Sequence, residues 1–94
     1  MWRKIIILKR NIEHETDKAI LVHCPANTAY EQYLFWHPLK LVKKGTKSGT
    51  RELSFPDEFV FNLAKYKEED GKRVIAGQKE LNAREMIALF DLND

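Results

Sequence analysis

The stretch Pro56–Tyr66, PDEFVFNLAKY, decides the fold of this chain. Phe59, Phe61 and Leu63 recur at every second position, the pattern of a strand with one face in a core. The Asp70–Gly71 pair downstream is a hairpin signal, so a strand over 58–66 would return as a second over 72–79. The same residues also fit a helix starting after Ser54, with Pro56 in its first turn and Asp57 as the capping-box acid. Strand is preferred, because bulky rings at period two suit a pleated, half-buried surface.

Upstream, Trp2–Arg10 is β-branched and apolar and reads as a strand buried on both faces. Asn11–Asp17 (NIEHETD) is polar and turn-like, so Lys18–His23 (KAILVH) should return antiparallel to the first strand, closed by Pro25. Tyr33–Trp36 is a further strand, with Pro38 keeping His37 extended. Gly45–Thr50 (GTKSGT) has the composition of an exposed loop. Arg51–Phe55 alternates polar and apolar. At the other end, Asn82 with Glu85 forms a capping pair. Ala83, Met86, Ile87 and Phe90 then fall on one helical face. A helix of about ten residues does not hold in isolation, so this stripe must lie on the sheet.

The expected fold is therefore α+β: a mostly antiparallel sheet of about five or six strands, able to roll into a partial barrel, with one C-terminal α-helix. A chain of 94 residues, 44% apolar and with no internal repeat or linker, is expected to form a single small β-rich domain over 1–94. Cys24 is the lone cysteine, which excludes an internal disulfide. The longest apolar run near the start, Ile5–Leu8, is too short for the core of a signal peptide. No stretch approaches the ~20 residues of a membrane span. A cytoplasmic protein without a membrane partner is expected.

Net charge is +2, but residues 1–51 hold ten Lys and Arg against four Asp and Glu, and the remainder six against ten. The basic half contains Tyr33–Lys47, YLFWHPLKLVKKGTK, where aromatic rings precede a run of lysines and no acid falls between Glu31 and Glu52. Rings beside cations are what base stacking and phosphate contact require. The candidate nucleic-acid-binding residues are Trp36, His37, Lys40, Lys43, Lys44, Lys47 and Arg51. The structural alternative buries Trp36 against the C-terminal helix and leaves the lysines in a solvated loop. Trp2, Arg3, Lys4, Lys9 and Arg10 would extend the basic face if the first strand lies nearby.

Other chemistry finds little support. His14, His23, Cys24 and His37 lack zinc-ligand spacing. A Cys24 nucleophile paired with His37 or His14 would need a thiolate-stabilising setting such as a helix N-terminus, and none is predicted there. Gly45 and Gly49 are not followed by the Lys-Ser/Thr of a phosphate loop. No catalytic residue, metal or cofactor is assigned, and an enzyme is not expected.

The order KAILV (18–22), FWHPLKLV (35–42), FPDEFVFNL (55–63) and LNAREM (81–86) resembles that of small uncharacterised proteins of Gram-positive phages and integrative elements. The counterparts are Lys18-Ala19-Ile20-Leu21 and Trp36-His37-Pro38-Leu39-Lys40. This resemblance implies a mobile-element setting and no particular activity. The expected function is non-enzymatic binding, either weak binding of single-stranded nucleic acid through the aromatic–basic block, or a protein-interaction or regulatory role as an accessory of a mobile element.

Overall fold

A computed structural model describes residues 1–91. Eight strands and one helix run in the order β1 (Trp2–Leu8), β2 (Ile12–Glu15), β3 (Ala19–His23), β4 (Leu34–Pro38), β5 (Val42–Lys44), β6 (Thr50–Pro56), β7 (Val60–Glu69), β8 (Lys72–Asn82) and α1 (Ala83–Asp91). All pairings are antiparallel and form two sheets, β1-β6-β5 and β2-β3-β4-β7-β8, which do not close into a barrel. Single 3-10 turns, Lys9–Asn11 and Leu39–Leu41, carry the chain between the sheets.

Pro56–Tyr66 is strand, not helix, from Val60 onward. Phe61 and Leu63 point into the core. The hairpin to β8 turns on Asp70 (φ 55°) and Gly71 (φ 76°), the two positive φ angles of a type I′ turn. At Lys65/Tyr66 the register shifts, leaving Ala76 of β8 as a bulge. Beyond it the hairpin continues as a two-stranded arm whose residues 67–73 are exposed.

Three expectations about the first half are corrected. β1 does not pair with the Lys18–His23 segment; it pairs with β6, from Trp2↔Pro56 to Leu8↔Thr50. Nor is it buried on both faces: Ile5 and Ile7 enter the core, whereas Trp2, Ile6 and Leu8 are exposed. The apolar run hides an alternation, since Lys4 stands on the outward face with them. Finally, NIEHETD is not merely a turn, because Ile12–Glu15 forms β2 against β3.

The inner faces of both sheets share one core. Ile5, Ile7, Leu53 and Phe55 come from the smaller sheet, and Ile20, Val22, Phe35, Phe61, Leu63 and Leu81 from the larger. At its centre Phe61 meets Phe35 (5.5 Å between centroids), Phe55 (4.9 Å) and Phe59 (4.8 Å), all edge to face. Such pairs contribute about 0.5–1.5 kcal/mol each beyond area burial.

α1 begins at the expected capping box. Glu85 N–H donates to Asn82 Oδ1 (2.8 Å), and Asn82 N–H to Glu85 Oε1 (3.0 Å). Ala83, Met86, Leu89 and Phe90 are buried, and the helix lies against β1, β7 and β8. Phe90 meets Phe35 edge-on at 6.2 Å. Phe90→Ala should cost about 3–5 kcal/mol in urea unfolding; a loss near zero would place the packing face of α1 elsewhere.

Candidate nucleic-acid interface

The smaller sheet brings the basic segments together. Residues directly opposed in an antiparallel ladder share a face. The row Ile5↔Leu53↔Val42 looks inward, so the adjacent row Ile6↔Glu52↔Lys43 looks outward. Trp2, Lys4, Ile6 and Leu8 thus share an outer face with Lys43. At the Leu8 end of the sheet the next row, Ile7↔Arg51↔Lys44, belongs to the inner face, with Lys44 exposed on the edge strand β5. There Lys9 N–H donates to Gly49 O (2.7 Å), tying the Lys9–Asn11 turn to the loop that carries Lys47.

Two glycines give that loop its shape. A Cβ at Gly45 would overlap the side chain of Thr50, whose carbonyl accepts from Gly45 N–H at 3.0 Å. Gly49 sits at φ +80°, a backbone region that L side chains rarely adopt. The loop therefore folds tightly back on β6 and leaves Lys47 outside.

The charges on this side are mostly unanswered. Lys4 Nζ pairs with Glu52 Oε1 (2.9 Å), and Arg3 Nη1 with Asp57 Oδ1 (3.2 Å). Lys9, Arg10, Lys40, Lys43, Lys44 and Lys47 form no ion pair with any carboxylate among the described residues. All six are exposed. Arg51 is half-buried, and its Nη1 donates to Thr50 O at 2.8 Å.

The aromatic part of the block lies elsewhere. Trp36 is 47% exposed between buried Phe35 and His37, so it is not sealed under α1. However, it stands on the outer face of the larger sheet, opposite Leu21 and edge-on to His14 at 6.3 Å. The two sheets share a core, so their outer faces look apart, and Trp36 does not converge with Lys43. Lys40 sits between them on the Leu39–Leu41 turn. The aromatic ring that does share the lysines' sheet is Trp2, 62% exposed. Its signal in the sequence was the alternation Trp2, Lys4, Ile6, Leu8, concealed by Ile5 and Ile7 filling the inward positions.

His37 cannot act as a surface contact in this fold, because its side chain is fully buried. The ring stacks on Phe61 (5.9 Å, 14°) and its Nε2 lies 2.9 Å from Ser54 O. In the neutral ring Nε2–H donates to that carbonyl, which leaves Nδ1 as a bare acceptor; no partner meets it. Burial lowers the pKa, with the Ser54 hydrogen bond opposing. His37 is thus a link between the sheets.

One acid on the larger sheet has two basic neighbours. Glu13 reaches both His23 (3.7 Å) and Arg73 (3.6 Å), and the Arg73 guanidinium covers the Tyr66 ring at 4.6 Å. Cys24 is buried, which pushes its thiol up to about 12 and leaves little thiolate near neutral pH. Among the described residues no three His, Cys, Asp or Glu side chains gather as metal ligands, and no helix is long and apolar enough to cross a membrane. Comparison with family models, curated proteins and solved structures finds no match to this chain.

Two outcomes are expected. Folded His37 takes up its proton at lower pH than the ~6.5 of an unfolded chain. Its contribution is thus fully present above that value and is lost as pH falls through the window below it. Urea unfolding from pH 7 downward should show this slope reduced in His37→Gln; identical slopes would remove His37 as the cause. Separately, iodoacetamide should alkylate Cys24 slowly in the folded protein and rapidly in urea, whereas fast native labelling would contradict its burial.

Proposed function

We propose that this domain binds single-stranded nucleic acid, weakly and with little sequence preference, through the outer face of the β1-β6-β5 sheet and the adjoining 45–49 loop. The observation that carries this proposal is the β1–β6–β5 pairing, which together with the Lys9–Gly49 hydrogen bond brings Lys9, Arg10, Lys43 and Lys47 to one end of the exposed row Trp2, Lys4, Ile6 and Leu8. Cations without carboxylate partners are available to phosphates, and their counterion release supplies affinity with little sequence preference. Trp2 offers a face on which a base can stack, and Ile6 and Leu8 offer apolar contact. From Trp2 to Leu8 the row spans about 20 Å, enough for a few extended nucleotides.

A second reading, a protein-interaction or regulatory accessory of a mobile element, is favoured by one feature. β8 is the last strand of the larger sheet, eleven residues long, with Ile75 half exposed. Such an edge can accept an added strand. Lys72, Lys79 and the Ala76 bulge act against indiscriminate pairing there.

Anisotropy of a labelled oligothymidylate at several salt concentrations tests the first proposal. Four or five phosphate contacts should give a log–log salt slope of about −3. Lys9→Glu with Lys47→Glu should abolish measurable binding while leaving the unfolding midpoint nearly unchanged; Lys43 is spared because it faces Glu52. Trp2→Ala should lose about 1–3 kcal/mol. No binding at ~100 µM protein and low salt would retire nucleic acid and leave the protein partner.

A further inference from the structure

At the basic end of the smaller sheet, a cleft of about 240 Å³ opens between β1, the 45–50 loop and the last turn of α1. Ile6, Ile7, Leu8 and Phe90 make it apolar, while Asn11, Lys47 and Thr50 bring polar groups to it. Its volume falls below the ~300–1,000 Å³ of sites for drug-sized ligands, so it suits a fragment as small as one heterocyclic ring system. We infer that this cleft holds one unstacked purine base of the bound strand, an inference that rests on the nucleic-acid proposal above and gives that otherwise tolerant surface one position of preference.

The cleft is continuous with the cations that would hold the strand. Lys47 belongs to both, and Lys9 is hydrogen-bonded to the same loop through Gly49. A base entering from a backbone held by Lys9 and Lys47 meets an apolar lining, which favours the larger area of a purine. Thr50 Oγ1 already donates to Lys47 O at 2.6 Å, so edge recognition falls to Asn11 and the Lys47 ammonium. A side-chain amide offers one acceptor beside a donor group. That pattern matches the N6 amino group and N7 of adenine, and the Lys47 ammonium can donate to O6 and N7 of guanine, so both purines find partners here.

The test compares a labelled oligothymidylate with the same oligonucleotide carrying one central adenine. The adenine should tighten binding by about tenfold, within the range of one bidentate base contact. Asn11→Ala should bring the two affinities together. In the wild-type protein, adenosine alone should shift the methyl resonances of Ile6, Ile7 and Leu8 more than thymidine does, a readout that survives if the variant fails to fold. Equal affinities for both oligonucleotides, with binding and its salt slope intact, would overturn the purine cleft and leave the surface proposal standing. Failure of every oligonucleotide to bind would overturn both.

Discussion

The contact between Phe35 and Phe61 holds the larger sheet together. Between β4 and β7 the backbone ladder has a single bridge, Leu34↔Ala64. The β2-β3-β4 meander and the β7–β8 hairpin are therefore joined chiefly by side chains. Phe35 and Phe61 meet across that weak seam, and Phe55 reaches Phe61 from the smaller sheet. The same ring thus closes the seam and the space between sheets. His37 adds a polar tie by donating to a β6 carbonyl from within that aromatic group. An unpaired Nδ1 is the cost of placing the hydrogen bond there, because a buried polar atom without a partner is unfavourable.

This arrangement explains what could be read from the residues and what could not. Period-two rings at Phe59, Phe61 and Leu63, the Asp70–Gly71 turn and the Asn82/Glu85 box are local signals, and each is expressed where it stands. Pairing is not local. Nothing within Trp2–Leu8 specifies that its partner begins at Thr50, and adjacency in sequence pointed to Lys18–His23 instead. Once β1 pairs with β6, Ile6 and Leu8 cease to be core residues. The candidate site suffered the same way: the lysines were legible as unopposed charge, but which aromatic ring would join them depended on strand order. His37 looked like part of a binding block because alternation leaves open which of Trp36 and His37 faces outward.

The ion pairs on the two outer surfaces involve different kinds of neighbour. On the larger sheet, Arg73 is shared between Glu13 and the Tyr66 ring, so its charge is already spent within the fold. On the smaller one, Glu52 engages Lys4 and Asp57 engages Arg3, and the remaining lysines keep their full hydration. The field of such unpaired surface cations reaches roughly a Debye length of ~8 Å at physiological salt and fades as salt rises.

The pairing of β1 with β6 also constrains how the protein is made. On the ribosome, β1 emerges about forty residues ahead of the segment that completes its ladder, a delay of seconds at ~5–20 residues per second. Through that interval Ile5 and Ile7 have no core to enter, and the cations that follow them have no loop to meet. The outer face of the smaller sheet comes into being only with the finished globule. A nascent or truncated chain ending before Thr50 would instead carry an apolar, basic segment in search of another strand, which is an aggregation hazard.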